Sequence, residues 1–116
     1  GIYPAYDFTT YPGLKRAAPA YGLTPDKLRN QITELNPIEK MGVLAKAKIP
    51  VHIIHGIDDQ VIPIAENSDR LHSIYQKNGA GDLMTLNRIK AQGHSFWPGF
   101  FHSQDLVDFV IKEASP

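Results

Sequence analysis

Ile49-Pro50-Val51-His52-Ile53-Ile54-His55-Gly56-Ile57-Asp58-Asp59-Gln60-Val61-Ile62-Pro63 is the stretch that decides the fold. A proline opens it, five residues rich in β-branched side chains follow, and a glycine stops them. Val51, Ile53 and Ile54 suit both faces of a pleated, buried sheet, which predicts a short interior strand. The residues after Gly56 are acidic and fall on the loop at the strand's C-terminal end. In parallel α/β sheets ligands bind in the crevice outside the carboxyl ends of the strands, so this loop is where chemistry is expected. Gly93-His94-Ser95 follows later, again in a loop after a strand-like run. An acid at one strand end and a histidine at the next form the orienter-and-base half of a hydrolytic triad. A nucleophilic serine on a sharp strand-to-helix turn should come earlier in the chain, and none does.

The flanking segments predict the remaining elements. Gly1-Ile2-Tyr3-Pro4 reads as the tail of a strand, and Asp7 to Pro12 as an aromatic turn. Leu14 to Tyr21 is expected to form a short helix with Pro19 at its edge and Gly22 as its stop. Thr24-Pro25-Asp26 is a helix start, with a hydroxyl cap, proline at the first position and an acid in the first turn. Leu28, Ile32 and Leu35 carry that helix to about Leu35. Asn36-Pro37 repeats the start signal, and Ile38, Met41, Leu44 and Ala45 give a second apolar stripe. Residues 14–48 thus read as a helical insertion, a candidate cap element over a pocket. Pro63 leads into a helix from about Ile64 to Lys77, stopped by Asn78-Gly79. Asp82 to Ile89 is expected as a second strand nearer the sheet edge, and Ala91 to His102 as an irregular aromatic loop. Ser103 caps a final helix whose Leu106, Phe109, Val110 and Ile111 are expected to face inward. The element order is α/β, with a short parallel sheet flanked by helices.

Bulk composition narrows the function classes. The chain has 116 residues, enough for one domain, with 42% hydrophobic and 9% aromatic residues to build a core. Twelve basic and twelve acidic residues cancel, and no charge run favours nucleic acid or an anionic membrane. No apolar run is long enough to span a bilayer. Cysteine is absent, so disulfides, thiolate metal sites and a cysteine nucleophile are excluded. The chain opens at Gly1 without methionine inside what reads as structure. The expectation is therefore that a preceding segment, with any targeting signal, is missing.

Individual candidates follow from chemistry. Asp58 and Asp59 are adjacent, so only one is expected to face the site; both also suit ordinary loop aspartates bonding backbone N–H groups. His94 is a candidate general base, because an imidazole exchanges protons near neutrality. His52 and His55 are three apart on a strand and point to opposite faces, so no shared metal is expected. His55 is expected to brace the loop around Asp59. Ser95 is a poor nucleophile, since Trp97 stands where an elbow needs glycine and Pro98 follows. Phe96 and Trp97 are candidate substrate-binding residues lining an acyl or leaving-group pocket, or else packing residues.

These residues carry a resemblance. His55-Gly56-Ile57-Asp58-Asp59-Gln60-Val61-Ile62-Pro63 resembles the H-G-x-x-D-x-x-V-P segment of α/β-hydrolases, particularly the prolyl-oligopeptidase-like and dienelactone-hydrolase-like esterases. The match implies that Asp59 is the catalytic acid and that His94, in Gly93-His94, is the catalytic histidine. Asn67-Ser68 and Leu71 are similar to the family's helix after the acid, and Gly1 to Pro4 with Tyr11 to Gly13 to the stretch beyond the nucleophile elbow. In that family the order is Ser, Asp, His, which places the serine and the oxyanion hole ahead of Gly1. The resemblance therefore implies a single partial domain over 1–116, the C-terminal part of an α/β-hydrolase fold. It implies a small-molecule ester or related acyl substrate, and neither a metal nor an organic cofactor. The open sheet edge of such a piece is expected to be covered by the missing N-terminal half or by a second copy of the chain. A non-catalytic remnant that dimerises or binds a partner through that edge is the alternative.

Overall fold

The β-branched run after Pro50 forms β1 (Val51–Gly56), buried along almost its whole length. Burial on both faces is what a continuous apolar run in a parallel sheet requires. In the computed structural model, which describes residues 1–116, β1 pairs in parallel with β2 (Met84–Ile89), with Val51 opposite Met84 and Gly56 opposite Ile89. On the other side of β1, Ile2 bridges to Ile54 in parallel. Tyr3 N–H donates to the Ile54 carbonyl at 2.9 Å, and Ile54 N–H to the Gly1 carbonyl at 3.0 Å. β1 is thus flanked on both sides, while β2 pairs with β1 alone and has a single buried residue, Met84, with Thr85 and Arg88 exposed. The architecture is α/β, a small parallel sheet among helices.

Residues 14–48 hold only short helices: α1 (Leu14–Ala17), α2 (Pro25–Arg29), α3 (Ile32–Leu35), α4 (Pro37–Lys40) and α5 (Gly42–Lys46). Thr24 caps α2 as its sequence predicts, its hydroxyl accepting from Lys27 N–H at 3.3 Å. The helix expected to run on to Leu35 breaks instead at Asn30-Gln31, where Gln31 leaves helical dihedrals (φ −116°, ψ 19°). Asparagine competes with its own backbone for hydrogen bonds and disfavours helix interiors. The next helix is likewise divided, at Met41-Gly42, where glycine costs about 1 kcal/mol relative to alanine. Asn36 does not cap α4. Its side chain is buried and turned to the N-terminal loop, accepting from Phe8 N–H at 3.1 Å and donating to Asp7 at 2.9 Å. That contact ties the junction of α3 and α4 to residues 7 and 8.

Two clusters make the core. Ile38, Ala45, Ile53, Leu71, Tyr75, Ala80 and Met84 pack between β1, β2 and α6 (Arg70–Lys77). Phe8, Ala17, Ala18 and Leu28 make a smaller cluster under the short helices. The helix expected from Ile64 begins with a π-helical turn, Ala65–Asp69, in which Asp69 N–H reaches back five residues to the Ile64 carbonyl at 2.9 Å. The wider turn lets two consecutive residues, Asn67 and Ser68, both be fully buried. A 3₁₀ turn, Gly81–Leu83, replaces the first residues of the expected second strand. The aromatic loop contains a short helix, α7 (Pro98–Phe101), started by Pro98.

The final helix, α8 (Gln104–Ala114), is capped by Ser103, whose hydroxyl accepts from Leu106 N–H at 3.4 Å. Its apolar face is not packed as expected. Val110 and Ile111 are each 61% exposed, and only Leu106 and Phe109 are partly covered. Phe109 lies against His52 of β1, with ring centroids 5.5 Å apart. Val107, Val110 and Ile111 instead line an apolar groove of about 350 Å³, together with Ile2, Phe100 and Leu106. The groove runs between Ile2, α7 and α8. No helix is long and apolar enough to cross a membrane.

Candidate active site

β1 ends at Gly56 because another backbone occupies the space beside it. A Cβ on Gly56 would stand 2.2 Å from the Gln92 carbonyl oxygen. Asp58 N–H donates to that same carbonyl at 3.0 Å, and Ile57 N–H donates to Ile89 at 2.9 Å. A Cβ on Gly93 would be 3.2 Å from the Asp58 carbonyl oxygen. The loops after β1 and β2 therefore touch backbone to backbone, which is possible only with glycine at the tightest point. This contact brings the acid and the histidine together across 35 residues of sequence.

The structure separates the two aspartates. Asp58 is exposed and Asp59 is buried. Asp59 Oδ1 accepts from Val61 N–H at 2.9 Å and from Ile62 N–H at 2.8 Å. Its Oδ2 lies 2.9 Å from His94 Nδ1 and 3.3 Å from His55 Nε2. Burial pushes the Asp59 carboxyl upward, but the Ile62 N–H, the His94 hydrogen bond and charge, and the Val61 N–H outweigh it. The net effect holds it below the usual carboxylate range. The carboxylate is ionised near neutrality, so His94 Nδ1 is the donor and bears the proton. That leaves Nε2 as the basic nitrogen, and it makes no hydrogen bond within the chain.

His55 braces the acid loop as expected. It is fully buried, with Nε2 2.9 Å from the Ile62 carbonyl and Nδ1 2.7 Å from Ser68 Oγ. His52 lies apart, its Nε2 3.3 Å from the Asn87 amide. No three His, Cys, Asp or Glu side chains converge as a metal site. Phe96 and Trp97 differ from each other. Phe96 is 90% exposed and stacks loosely on Phe101, with centroids 6.1 Å apart. Trp97 folds back over Gly99 and meets Phe100 edge-on at 5.3 Å, so part of its ring serves packing. Ser95 is engaged locally, with Gln92 Oε1 3.4 Å away and Trp97 N–H at 3.3 Å.

Sequence reasoning missed Tyr3. Its ring lies against His94, with centroids 4.2 Å apart, and meets Phe100 edge-on at 5.2 Å. Its backbone has φ 31°, a left-handed conformation that a tyrosine adopts only under constraint. The bridge between Ile2 and Ile54 and the following Pro4 supply that constraint. An aromatic residue directly before proline at a strand end was the available signal. Asn67 was noted only as part of a family-like helix, and its tie to the N-terminal segment was missed. Its carbonyl accepts from Tyr6 N–H at 2.7 Å and Asp7 N–H at 2.9 Å, and its amide donates to the Pro63 carbonyl at 2.9 Å. Asn67 thereby ties the end of the acid loop to the N-terminal segment.

Two predictions follow from this geometry. Gly56→Ala should force the two loops apart, costing about 1–3 kcal/mol as an overpacked site does. Gly93→Ala, at its longer approach, should cost less, and equal urea midpoints for the two variants would contradict the backbone contact. The second concerns pH. His52 and His55 are held below the usual imidazole range chiefly by burial. Asp7, like Asp59, is held low: burial opposes this, but the Thr9 and Asn36 hydrogen bonds and the Arg70 charge prevail. All four groups bind a proton more readily in the unfolded chain, so stability falls on acidification. Urea midpoints should start to fall below about pH 6.5 through the histidines and fall further below about pH 4 through the carboxylates. A flat profile between pH 7 and 5 would show that the histidines are not held neutral by burial. Comparison with known proteins adds no relative: no family model, no curated protein and no solved structure matches the chain.

Proposed function

We propose that this chain supplies the acid and the general base of a serine hydrolase acting on ester or related acyl bonds. Its sheet would then be the C-terminal part of an α/β-hydrolase fold. The observation that carries this reading is the Asp59 Oδ2 to His94 Nδ1 contact of 2.9 Å between neighbouring strand-end loops. Support also comes from the ordered H-G-x-x-D and G-H segments that supply those two residues.

In the proposed reaction His94 Nε2 takes the proton of a serine hydroxyl as its oxygen attacks the acyl carbonyl. The protonated imidazole then gives that proton to the departing alcohol or amine. Water, deprotonated by the same nitrogen, attacks the acyl-enzyme and releases the acid and the free serine. Asp59 accepts the hydrogen bond from His94 Nδ1–H throughout and stabilises the imidazolium. The serine comes from outside residues 1–116, from a segment ahead of Gly1 or from a separate polypeptide. The chain's own five serines favour this assignment: Ser68 is bonded to His55, Ser73 lies exposed within α6, Ser95 is bonded to its own loop, Ser103 caps α8 and Ser115 donates to the Ile111 carbonyl. Phe96, exposed beside this loop, is the stronger candidate for contact with an acyl or leaving group, and Trp97 the weaker.

The test is labelling with a fluorophosphonate of the material that contains this chain, together with turnover of p-nitrophenyl acetate. The label should fall on a serine outside residues 1–116. Asp59→Asn should lower kcat by about 10⁴, the loss seen when a triad aspartate is replaced, and Asp58→Asn by far less. Equal, small losses would sink the assignment of Asp59.

One observation favours a second reading, in which a non-catalytic chain pairs with a second copy of itself. The groove along α8 leaves Val107, Val110 and Ile111 open to solvent beside the Ile2 edge. Sedimentation of the 116-residue chain separates the two. A dimer that Val110→Asp dissociates supports pairing through this face, and a monomer at 12.9 kDa removes that reading.

A further inference from the structure

Asp59 Oδ2 is shared. His94 Nδ1 reaches it at 2.9 Å from the exposed side and His55 Nε2 at 3.3 Å from the buried side. The protonation state of His55 decides what that second contact does. Its Nε2 faces two groups that only accept, the Ile62 carbonyl at 2.9 Å and the Asp59 carboxylate. Nε2 must therefore carry a proton. Its Nδ1 faces Ser68 Oγ at 2.7 Å, and a hydroxyl can donate to a bare imidazole nitrogen. The neutral Nε2–H tautomer satisfies every polar atom of the ring. An imidazolium would be drawn by Asp59 and Asp69, but complete burial of the ring opposes it more strongly.

We propose that His55 is a positioning residue for the acid, a neutral histidine fixed as the Nε2–H tautomer by Ser68 and Ile62, whose N–H shares Asp59 Oδ2 with His94. This inference rests on the acid-and-base reading of Asp59 and His94 and extends it inward by two residues. Ser68 owes its place to the π-helical turn, which buries it beside Asn67 ahead of α6. A run of polar contacts thus leads from Ser68 through His55 and Asp59 to His94, its longest step being the 3.3 Å from His55 Nε2 to Asp59 Oδ2, because the Ile62 carbonyl is the nearer acceptor for that N–H. Its effect on His94 has a definite sign. A second donor on Oδ2 withdraws charge from that oxygen, so the hydrogen bond from His94 is weaker than Asp59 alone would make it. Rotating Asp59 would leave the Val61, Ile62 and His94 N–H groups without an acceptor, and would leave His55 Nε2–H with the Ile62 carbonyl alone.

The experiment is ¹⁵N and ¹H NMR of the histidine side chains in the 116-residue chain. In the unaltered chain at pH 7, His55 Nε2 should resonate as a protonated nitrogen and Nδ1 as a bare one. A proton on Nδ1, or on both nitrogens, would overturn the proposal without any variant. Two substitutions then separate hydrogen bonding from packing. His55→Phe keeps a ring but removes the donor, and should move the His94 Nδ1 proton downfield as its bond to Asp59 strengthens. His55→Gln keeps an N–H near the Nε2 position, and should leave that resonance close to its original place. A residue that only fills space would favour phenylalanine over glutamine and leave His94 unmoved in both, which would overturn the proposal. The serine-labelling result stands apart from these signals. Absent labelling with the expected tautomer removes the hydrolase reading alone, and labelling with the wrong tautomer removes the His55 proposal alone.

Discussion

A buried carboxylate with four donors around it is the constraint on which the site depends. Moving an ionised carboxylate out of water costs several kcal/mol unless hydrogen bonds replace the lost hydration. Asp59 finds those bonds in Val61 N–H, Ile62 N–H and His94, with His55 Nε2 as a fourth, longer contact at 3.3 Å. Each donor fixes a different part of the chain. The two backbone groups set the turn that leads to Pro63, and His55 holds that turn against β1. His94 holds the loop after β2. The same geometry demands that the two loops touch, and Gly56 is the residue that permits it. The sheet register, with Gly56 opposite Ile89, starts both loops from the same level.

Much of this was legible because its signals are local. A β-branched run closed by glycine can hardly be other than a buried strand, and β1 occupies it. Thr24 and Ser103 announced their helix starts because a cap needs only a hydroxyl and a nearby N–H. The pairing of Asp59 with His94 was readable from two loops in order, each at the end of a strand. The family likeness chose Asp59 over Asp58, and the burial of one and exposure of the other are in keeping with that choice.

What failed depended on distant partners. Asn36 carries a cap signal, yet Asp7 and Phe8 lie close enough in space to claim its amide, and a buried bridge between segments outcompetes a local cap. The π-helical turn is invisible to a helical periodicity, because one extra residue shifts the apolar stripe without destroying it. Val110 and Ile111 obey the amphipathic pattern of α8 but have nothing to pack against. A periodic stripe reports which face is apolar; it does not say that the face is covered.

The two members of the site have opposite environments, and the contrast suits their chemistry. Asp59 is enclosed, multiply bonded and ionised, which suits the orienting role proposed for it, in which it accepts a hydrogen bond without taking the proton. His94 is anchored at Nδ1 only, with its other nitrogen unbonded and its side chain 30% exposed. The general-base role proposed for His94 needs that freedom, because such a group must exchange a proton with groups arriving from outside. Tyr3 limits the freedom from one face, at the cost of a strained backbone held by the Ile2 bridge. The short segment bridged to β1 at Ile2 therefore does more than cover that side of the strand. It presents the ring against which the imidazole rests, so any segment that continued the sheet beyond Ile2 would also bear on the position of His94.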